Sequence, residues 1–192
     1  RAFRTNLYNG SLEDLGTLGG AESAGYGINQ YGQVTGWADT PVGTYHAFRT
    51  NLYNSSLEDL GTLNGSVGSI GADINSYGHV TGHSTFRFTS NEFGNLNYSD
   101  GRAFLYDTEG MVDLNSRIDP SLGWTLVAGT AINDAGQIAG FGFLGEQRFF
   151  KSYRAFILTP VAVPEPSSMI LSLFALLGLM FVARRSGKNR ST

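Results

Sequence analysis

The sequence predicts an all-β fold: antiparallel four-stranded repeats forming a partial β-propeller, followed by one C-terminal transmembrane helix. Three observations carry this. "RAFRTNLYNGSLEDLGTLGG" (1–20) returns as "HAFRTNLYNSSLEDLGTLNG" (46–65), with 17 of 20 positions identical. Each copy divides into short β-prone segments bounded by Gly and Asn, the pattern of an all-β chain. Near the end of the chain, residues 169–183 are apolar apart from Ser172 and are followed by basic residues.

The repeat organises the chain. A diverged copy starts at "RAFLYDTEGMVDLN" (102–115), and a stub, "RAFILTP", starts at Arg154. A second signature recurs as "GINQYGQVTG" (27–36), "DINSYGHVTG" (73–82) and "AINDAGQIAG" (131–140). The expected units are 1–45, 46–101 and 102–153, with a closing strand at 154–159, together a repeat domain over 1–160. A linker (161–168), the apolar span (169–183) and a basic tail (184–192) follow. Insertions lengthen two repeats, one at "TFRFTSNEFGNLNYSD" (85–100) and one around "SRIDPSLGW" (116–124).

Each unit reads as four strands, in the first copy roughly Ala2–Leu7, Leu12–Leu18, Ala24–Asn29 and Gln33–Ala38. Asn9-Gly10 predicts a type I′ hairpin, which needs positive φ at both central residues. Asn29…Gly32, Asn75…Gly78 and Asn133…Gly136 predict another turn. There the Asn side chain accepts from backbone two residues on and the Gly takes the left-handed position. Phe3, Phe48, Phe104 and Phe156 are the expected core plugs, with Ile28, Ile74, Ile132, Val34, Val80 and Ile138 beside them. A repeat of this length with four strands fits one propeller blade, and stacked blades bury faces that one blade cannot. A β-solenoid is the alternative.

Composition narrows the functional classes. The chain has 192 residues, 26 of them Gly and 5 Pro, with 41% hydrophobic and 15% charged residues. That supports a folded core rather than disorder. Arg184, Arg185, Lys188 and Arg190 are the only basic residues after the apolar run, where no acid occurs. The remaining 9 basic residues face all 16 acidic ones, so the upstream part is about −7 and the tail +4. An acidic repeat domain argues against a nucleic-acid partner. The absence of cysteine removes disulfides, thiolate metal sites and a cysteine nucleophile. The chain opens mid-repeat on "RAF", so it reads as the C-terminal portion of a longer precursor.

Adding Ser167 and Ser168 to the apolar run gives about 17 residues, at the short end of what crosses a bilayer as a helix. Pro164 and Pro166 prevent an earlier helix start. The positive-inside rule places the basic end in the cytoplasm and the repeats outside.

Two resemblances follow. His46-Ala47-Phe48, "LEDLGTL" and "IN..G.VTG" resemble the bacterial HAF-type extracellular repeat, although Arg replaces the leading His in the other copies. The resemblance implies extracellular placement and little chemistry. Val163-Pro164-Glu165-Pro166, the span and the basic stop (Arg184, Arg185, Lys188, Arg190), in that order, resemble a PEP-CTERM sorting signal. This implies recognition by an exosortase in the inner membrane of a Gram-negative bacterium. The tail is then removed and the body sent to the cell surface or exopolysaccharide matrix. A permanent single-pass anchor is the simpler alternative.

No catalytic, cofactor-binding or metal residue is expected. His79-Val-Thr-Gly-His83 has two imidazoles at i and i+4 but no visible third ligand, and exposed strand histidines are the expectation. Asn133-Asp134…Gly136 hints at calcium, yet the matching copies read Asn-Gln and Asn-Ser, so turn chemistry explains all three. Glu13/Asp14 and Glu58/Asp59 are expected at a solvated strand edge, and the chain has no GxSxG, HExxH or phosphate loop. The leading reading is a non-enzymatic surface or matrix protein. The alternatives are a glycan-binding module using Tyr8, Tyr53, Tyr31, Tyr77, Trp37 and Trp124, and a hydrolase using acids at the propeller mouth.

Overall fold

The computed structural model describes residues 2–5, 12–52, 56–86, 101–145 and 152–161, with backbone alone at 3–5, 12 and 13. Arg1–Pro160 is one compact unit. Its described part is all-β and antiparallel. β1 (Ala2–Thr5) pairs with β2 (Leu12–Gly16). β3 (Ser23–Ile28), β4 (Val34–Asp39), β5 (Tyr45–Thr50) and β6 (Leu57–Asp59) form a four-stranded meander. β7 (Gly68–Ile74), β8 (Val80–Thr85), β9 (Gly101–Asp107) and β10 (Gly110–Asp113) form the next. β11 (Trp124–Ile132), β12 (Ile138–Leu144) and β13 (Arg154–Leu158) form a three-stranded sheet.

The sheets run out of phase with the sequence repeat. The three larger sheets begin at Ser23, Gly68 and Trp124, not at Ala47 and Ala103, and the unit that starts at Ala2 contributes only β1 and β2 to the sheet that starts there. The connections explain the shift. Thr40 to Thr44 is a tight turn, closed by Thr40 N–H to Thr44 O at 2.8 Å, which joins β4 to the Ala-Phe strand β5 in the same sheet. The break comes after Leu-Glu-Asp, where buried Leu60 and Leu63 carry the chain from one sheet to the next. Each sheet is therefore the second half of one sequence unit and the first half of the following one. No ladder joins equivalent strands of successive repeats among the described residues, as a β-solenoid would require.

Each first strand is bulged. Pairing skips Tyr26 in β3, Ala72 in β7 and Thr130 in β11. The Gly of each Val-Thr-Gly or Ile-Ala-Gly motif lies opposite the bulge. At Gly36, Gly82 and Gly140 a Cβ would overlap the carbonyl oxygen of Ala24, Ile70 and Ala128 respectively. The motif's glycine is thus set by the close approach of a bulged backbone.

Neighbouring sheets are joined by a polar stitch. Ser69 Oγ accepts from Ala47 N–H at 2.8 Å and donates to the Gly61 carbonyl. Ser23 Oγ repeats this with Ala2 N–H at 3.0 Å and Gly16 O at 2.6 Å. The third repeat has Val127 in this place. There the Asn115 side chain bridges the Leu126 backbone instead, donating to its carbonyl at 3.0 Å and accepting from its N–H at 2.7 Å.

Phe48, Phe104 and Val80 are fully buried, and Ile74, Ile132 and Ile138 lie in the core as expected. Ile28 is not in the core: it is 68% exposed, against 3% for Ile74 at the same repeat position. β3 lies next to a two-stranded sheet, so the strands that cover Ile74 have no counterpart there among the described residues. Val34 and Phe156 are half-buried for the same kind of reason, each being at one end of the array. The side chain of Phe3, the Asn9-Gly10 turn, most of the 85–100 insertion and the apolar span at 169–183 lie outside the described residues. Among the described residues, no helix is long and apolar enough to cross a membrane.

Candidate functional site: the rim of repeated turns

Three Asn…Gly turns line up along one edge of the sheets. In the first, Asn29 Oδ1 accepts from Tyr31 N–H and Gln33 N–H, both at 3.0 Å. Gly32 N–H closes the turn onto Asn29 O at 3.0 Å, with φ +78°. Asn75 Oδ1 does the same for Tyr77 and His79 N–H, at 3.1 and 3.0 Å. The turn chemistry read from sequence is present, and the Asn side chain does more than it requires. Its amide Nδ2 reaches the next turn: Asn29 donates to Asn75 O at 3.0 Å, and Asn75 to Asn133 O at 3.2 Å.

A second row runs beside this ladder. Gln30 Nε2 donates to Ser76 Oγ at 2.9 Å. Ser76 N–H and Oγ–H donate to the two Asp134 carboxylate oxygens, each at 2.8 Å. The Ser76 backbone N–H, then its hydroxyl, hold the Asp134 carboxyl below its usual range. Asp134 is thus a hydrogen-bond acceptor between turns, and among the described residues no group of three or more His, Cys, Asp or Glu could hold a metal ion. At the last turn Asn133 Nδ2 donates to its own Gln137 Oε1, at 2.8 Å.

The rim carries exposed aromatics. Tyr31 is 63% exposed and Tyr77 is 70% exposed. They occupy the same repeat position on turns fixed by the ladder. An open hollow beside Tyr77 is lined by Asn75, His79, Asp134, Ala135 and Gly136, and the Tyr77 and His79 rings are 6.0 Å apart. Trp37 donates to Tyr26 Oη at 3.2 Å and meets the Tyr45 ring edge-on at 5.9 Å. Trp124 packs against the core of the third sheet. Tyr8 and Tyr53 lie outside the described residues.

The histidines correct one expectation. His79 is half-buried on the rim, while His83 is buried in β8 rather than exposed. Burial lowers the His83 pKa to about 4, keeping its imidazole neutral at physiological pH. The paired acids of β6 are engaged. Glu58 accepts from Arg49 Nη2 at 2.7 Å and from Tyr106 Oη at 3.2 Å. Asp59 meets His46 Nδ1 at 2.9 Å and caps Gly61 N–H at 2.8 Å. Arg49 also donates to Gly78 O and lies over the Tyr106 ring, 5.5 Å from its centre, so it ties two sheets together. Sequence reading missed Arg49 and the two serines. Their signal was present in the recurrence of Arg49/Glu58 as Arg4/Glu13, and of Ser69 as Ser23.

The sorting residues Val163, Pro164, Glu165 and Pro166 and the basic residues Arg184, Arg185, Lys188 and Arg190 lie outside the described residues. No curated protein and no solved structure matches the chain. Residues 162–186 match the family model of the PEP-CTERM protein-sorting motif, a span that takes in Val163–Pro166, the apolar run, Arg184 and Arg185.

Proposed function

We propose that this chain is a non-enzymatic protein of the cell surface or exopolysaccharide matrix of a Gram-negative bacterium. Its C-terminal signal inserts in the inner membrane with the repeats outside, and an exosortase removes it. The observation carrying this reading is the sorting-motif match over residues 162–186. The order of parts supports it: prolines that stop a helix, an apolar run and then positive charge. HAF-type repeats fit an exported body. Engagement of the β6 carboxylates by Arg49, Tyr106 and His46 supports a structural rather than hydrolytic use of the acids.

The body is an arc of a β-propeller in this reading. Successive meanders pack side by side, and their first strands β3, β7 and β11 neighbour one another in order, as the inner strands of blades do. Mass spectrometry of the exported protein tests the processing step. A mature form lacking residues 169–192 is expected, and a mature form that always retains "SGKNR" means a permanent anchor.

One observation favours a second reading, a glycan-binding surface. Tyr31 and Tyr77 are exposed at matching positions on turns locked by the Asn ladder. Rigid aromatics flanked by amide and hydroxyl groups suit stacking on sugar rings. A polysaccharide pull-down that Tyr31→Ala and Tyr77→Ala together abolish supports it, and unchanged retention removes it.

A further inference from the structure

The three Asn…Gly turns meet at two interfaces, and the second lacks a cation that the first holds. Between the first and second turns the space is filled by Arg49 of β5. Its Nη1 donates to Gly78 O, its Nη2 pairs with Glu58 at 2.7 Å, and its guanidinium lies over the Tyr106 ring. A Cβ added to Gly78 would meet Arg49 Nη1 at 3.1 Å and Gln33 Oε1 at 3.3 Å, so the seat is full. Between the second and third turns each of these parts is changed. Leu105 stands at the register position of Arg49, Val112 at that of Glu58 and Leu158 at that of Tyr106. Leu105 and Leu158 pack against the core of the third sheet. A Cβ added to Gly136 would find only Pro160 within 4 Å among the described residues, and neither Leu105 nor His79. Ala135 replaces the ring that Tyr77 carries at the same turn position. What remains is the open hollow bounded by Tyr77, His79, Asp134 and Gly136.

The charge changes in the opposite sense. Asp134 occupies the turn position of Ser76 and Gln30. Its exposed carboxylate is kept ionised by the Ser76 N–H and hydroxyl, and no Lys or Arg pairs with it among the described residues. The second interface has therefore lost an arginine and gained an anion beside an exposed tyrosine.

We propose, on the glycan-binding reading of the rim, that this seat takes the protonated amine of an amino sugar in a polysaccharide chain. With the sugar ring stacked on Tyr77, the ammonium group meets the Asp134 carboxylate and the Tyr77 ring face. The Gly136 carbonyl accepts from it as Gly78 O accepts from Arg49. The occupant is a sugar rather than a basic peptide because Tyr31 repeats the exposed ring of Tyr77 on the neighbouring turn. The rim thus offers stacking faces in a row to a chain of rings, but a carboxylate at only one of the three turns. The chain upstream of the apolar run, at about −7, also attracts a polymer that carries many amines.

Calorimetric titration of the full chain in mild detergent, near neutral pH and at low salt, tests this. The probes are a glucosamine hexamer, its N-acetylated form, a neutral glucose hexamer and hexalysine. The glucosamine hexamer is expected to bind several-fold more tightly than its N-acetylated form, since acetylation removes the charge and keeps the ring. Asp134→Asn, which can still accept from Ser76, should bring that ratio close to one. Leu105→Arg with Val112→Glu, which copies the Arg49–Glu58 arrangement into the seat, should do the same, and circular dichroism checks that both variants fold. Affinity for the glucosamine hexamer no higher than for the acetylated and neutral ones overturns the proposal and leaves the glycan-binding reading standing. Binding of none of the sugars also overturns it, and the polysaccharide pull-down then decides the broader reading separately. A preference for the amine that survives Asp134→Asn overturns the assignment of the seat. Hexalysine binding more tightly than the glucosamine hexamer overturns it in favour of a basic peptide.

Discussion

The side-chain amide of Asn29 donates to the backbone carbonyl of Asn75, 46 residues away, at 3.0 Å. Asn75 passes the same bond to Asn133 at 3.2 Å. One residue type therefore shapes its own turn and fastens it to the next. This couples local sequence to the spacing of the sheets, and it fixes the exposed tyrosines of the rim.

Asn75→Ala should destabilise the repeat domain more than Asn133→Ala. Asn75 is buried, accepts from two backbone N–H groups and donates onward. Leaving those donors unpaired should cost roughly 2–4 kcal/mol, at about 1–3 kcal/mol for a buried unsatisfied group. Asn133 is exposed and bonds within its own turn, so its loss should cost about 1 kcal/mol. Urea midpoints of the two variants check the order.

Gly82→Ala should be among the most damaging single changes. The new methyl would overlap Ile70 O and lie 2.9 Å from the Phe104 ring, with backbone on one side and a filled core on the other. Overpacking of this kind costs about 1–3 kcal/mol, or more where backbone must move. Gly110→Ala, at φ +103° in open space, bears only backbone strain. It should cost about 1 kcal/mol. Thermal unfolding of the two variants separates them.

The Arg49–Glu58 pair should be replaceable as a pair but not singly. In the next sheet the same register holds Leu105 opposite Val112, so the fold accepts an apolar solution there. Arg49→Ala loses bonds to Glu58 and Gly78 and should cost about 1–2 kcal/mol. Arg49→Leu with Glu58→Val should stay within about 1 kcal/mol of the parent, since an apolar pair avoids desolvating two charges. A double-mutant cycle measures the coupling.

What the sequence made legible, and what it hid, follows from the range of each interaction. The strands, the Asn…Gly turns and the buried Phe48 and Phe104 rest on local pattern and on period-2 alternation, which any single repeat displays. The phase of the sheets was hidden because sequence identity marks the unit that was copied, not the unit that pairs. Ile28 was misread because its pattern matches Ile74, and only the place of a repeat in the array decides whether a neighbour covers it. His83 looked like a surface residue in a Val-Thr-Gly-His run. Its burial depends on the flanking strands β7 and β9. The Ser23 and Ser69 stitches join residues 21 or 22 apart across sheets, beyond any local signal.

Replacing Pro164-Glu165-Pro166 with alanines should stop release of the protein while leaving its membrane insertion intact. The matched motif begins at residue 162, ahead of the apolar run, so the change alters what a processing enzyme reads without altering the run itself. Cell fractionation should find the full-length precursor in the inner membrane. Normal release of the triple variant would remove the motif from the export route.

Acid should weaken the fold through His83. Its pKa is lowered to about 4 by burial, against an ordinary value of 6.5. In the unfolded chain the ring gains a proton below about pH 6.5, while in the folded chain it stays neutral until about pH 4. The unfolded state therefore binds more protons within this window, and stability falls as pH drops through it. The contribution is intact above pH 6.5 and is spent near pH 4. The pKa difference corresponds to roughly 3 kcal/mol at 1.36 kcal/mol per unit. At the same repeat position the first and third sheets carry Trp37 and Phe141, so an aromatic ring suits the site. His83→Phe should keep the fold and flatten stability between pH 6.5 and 5, where few carboxylates titrate. Urea unfolding of parent and variant across that interval decides it, and parallel curves would mean that His83 carries none of the acid sensitivity.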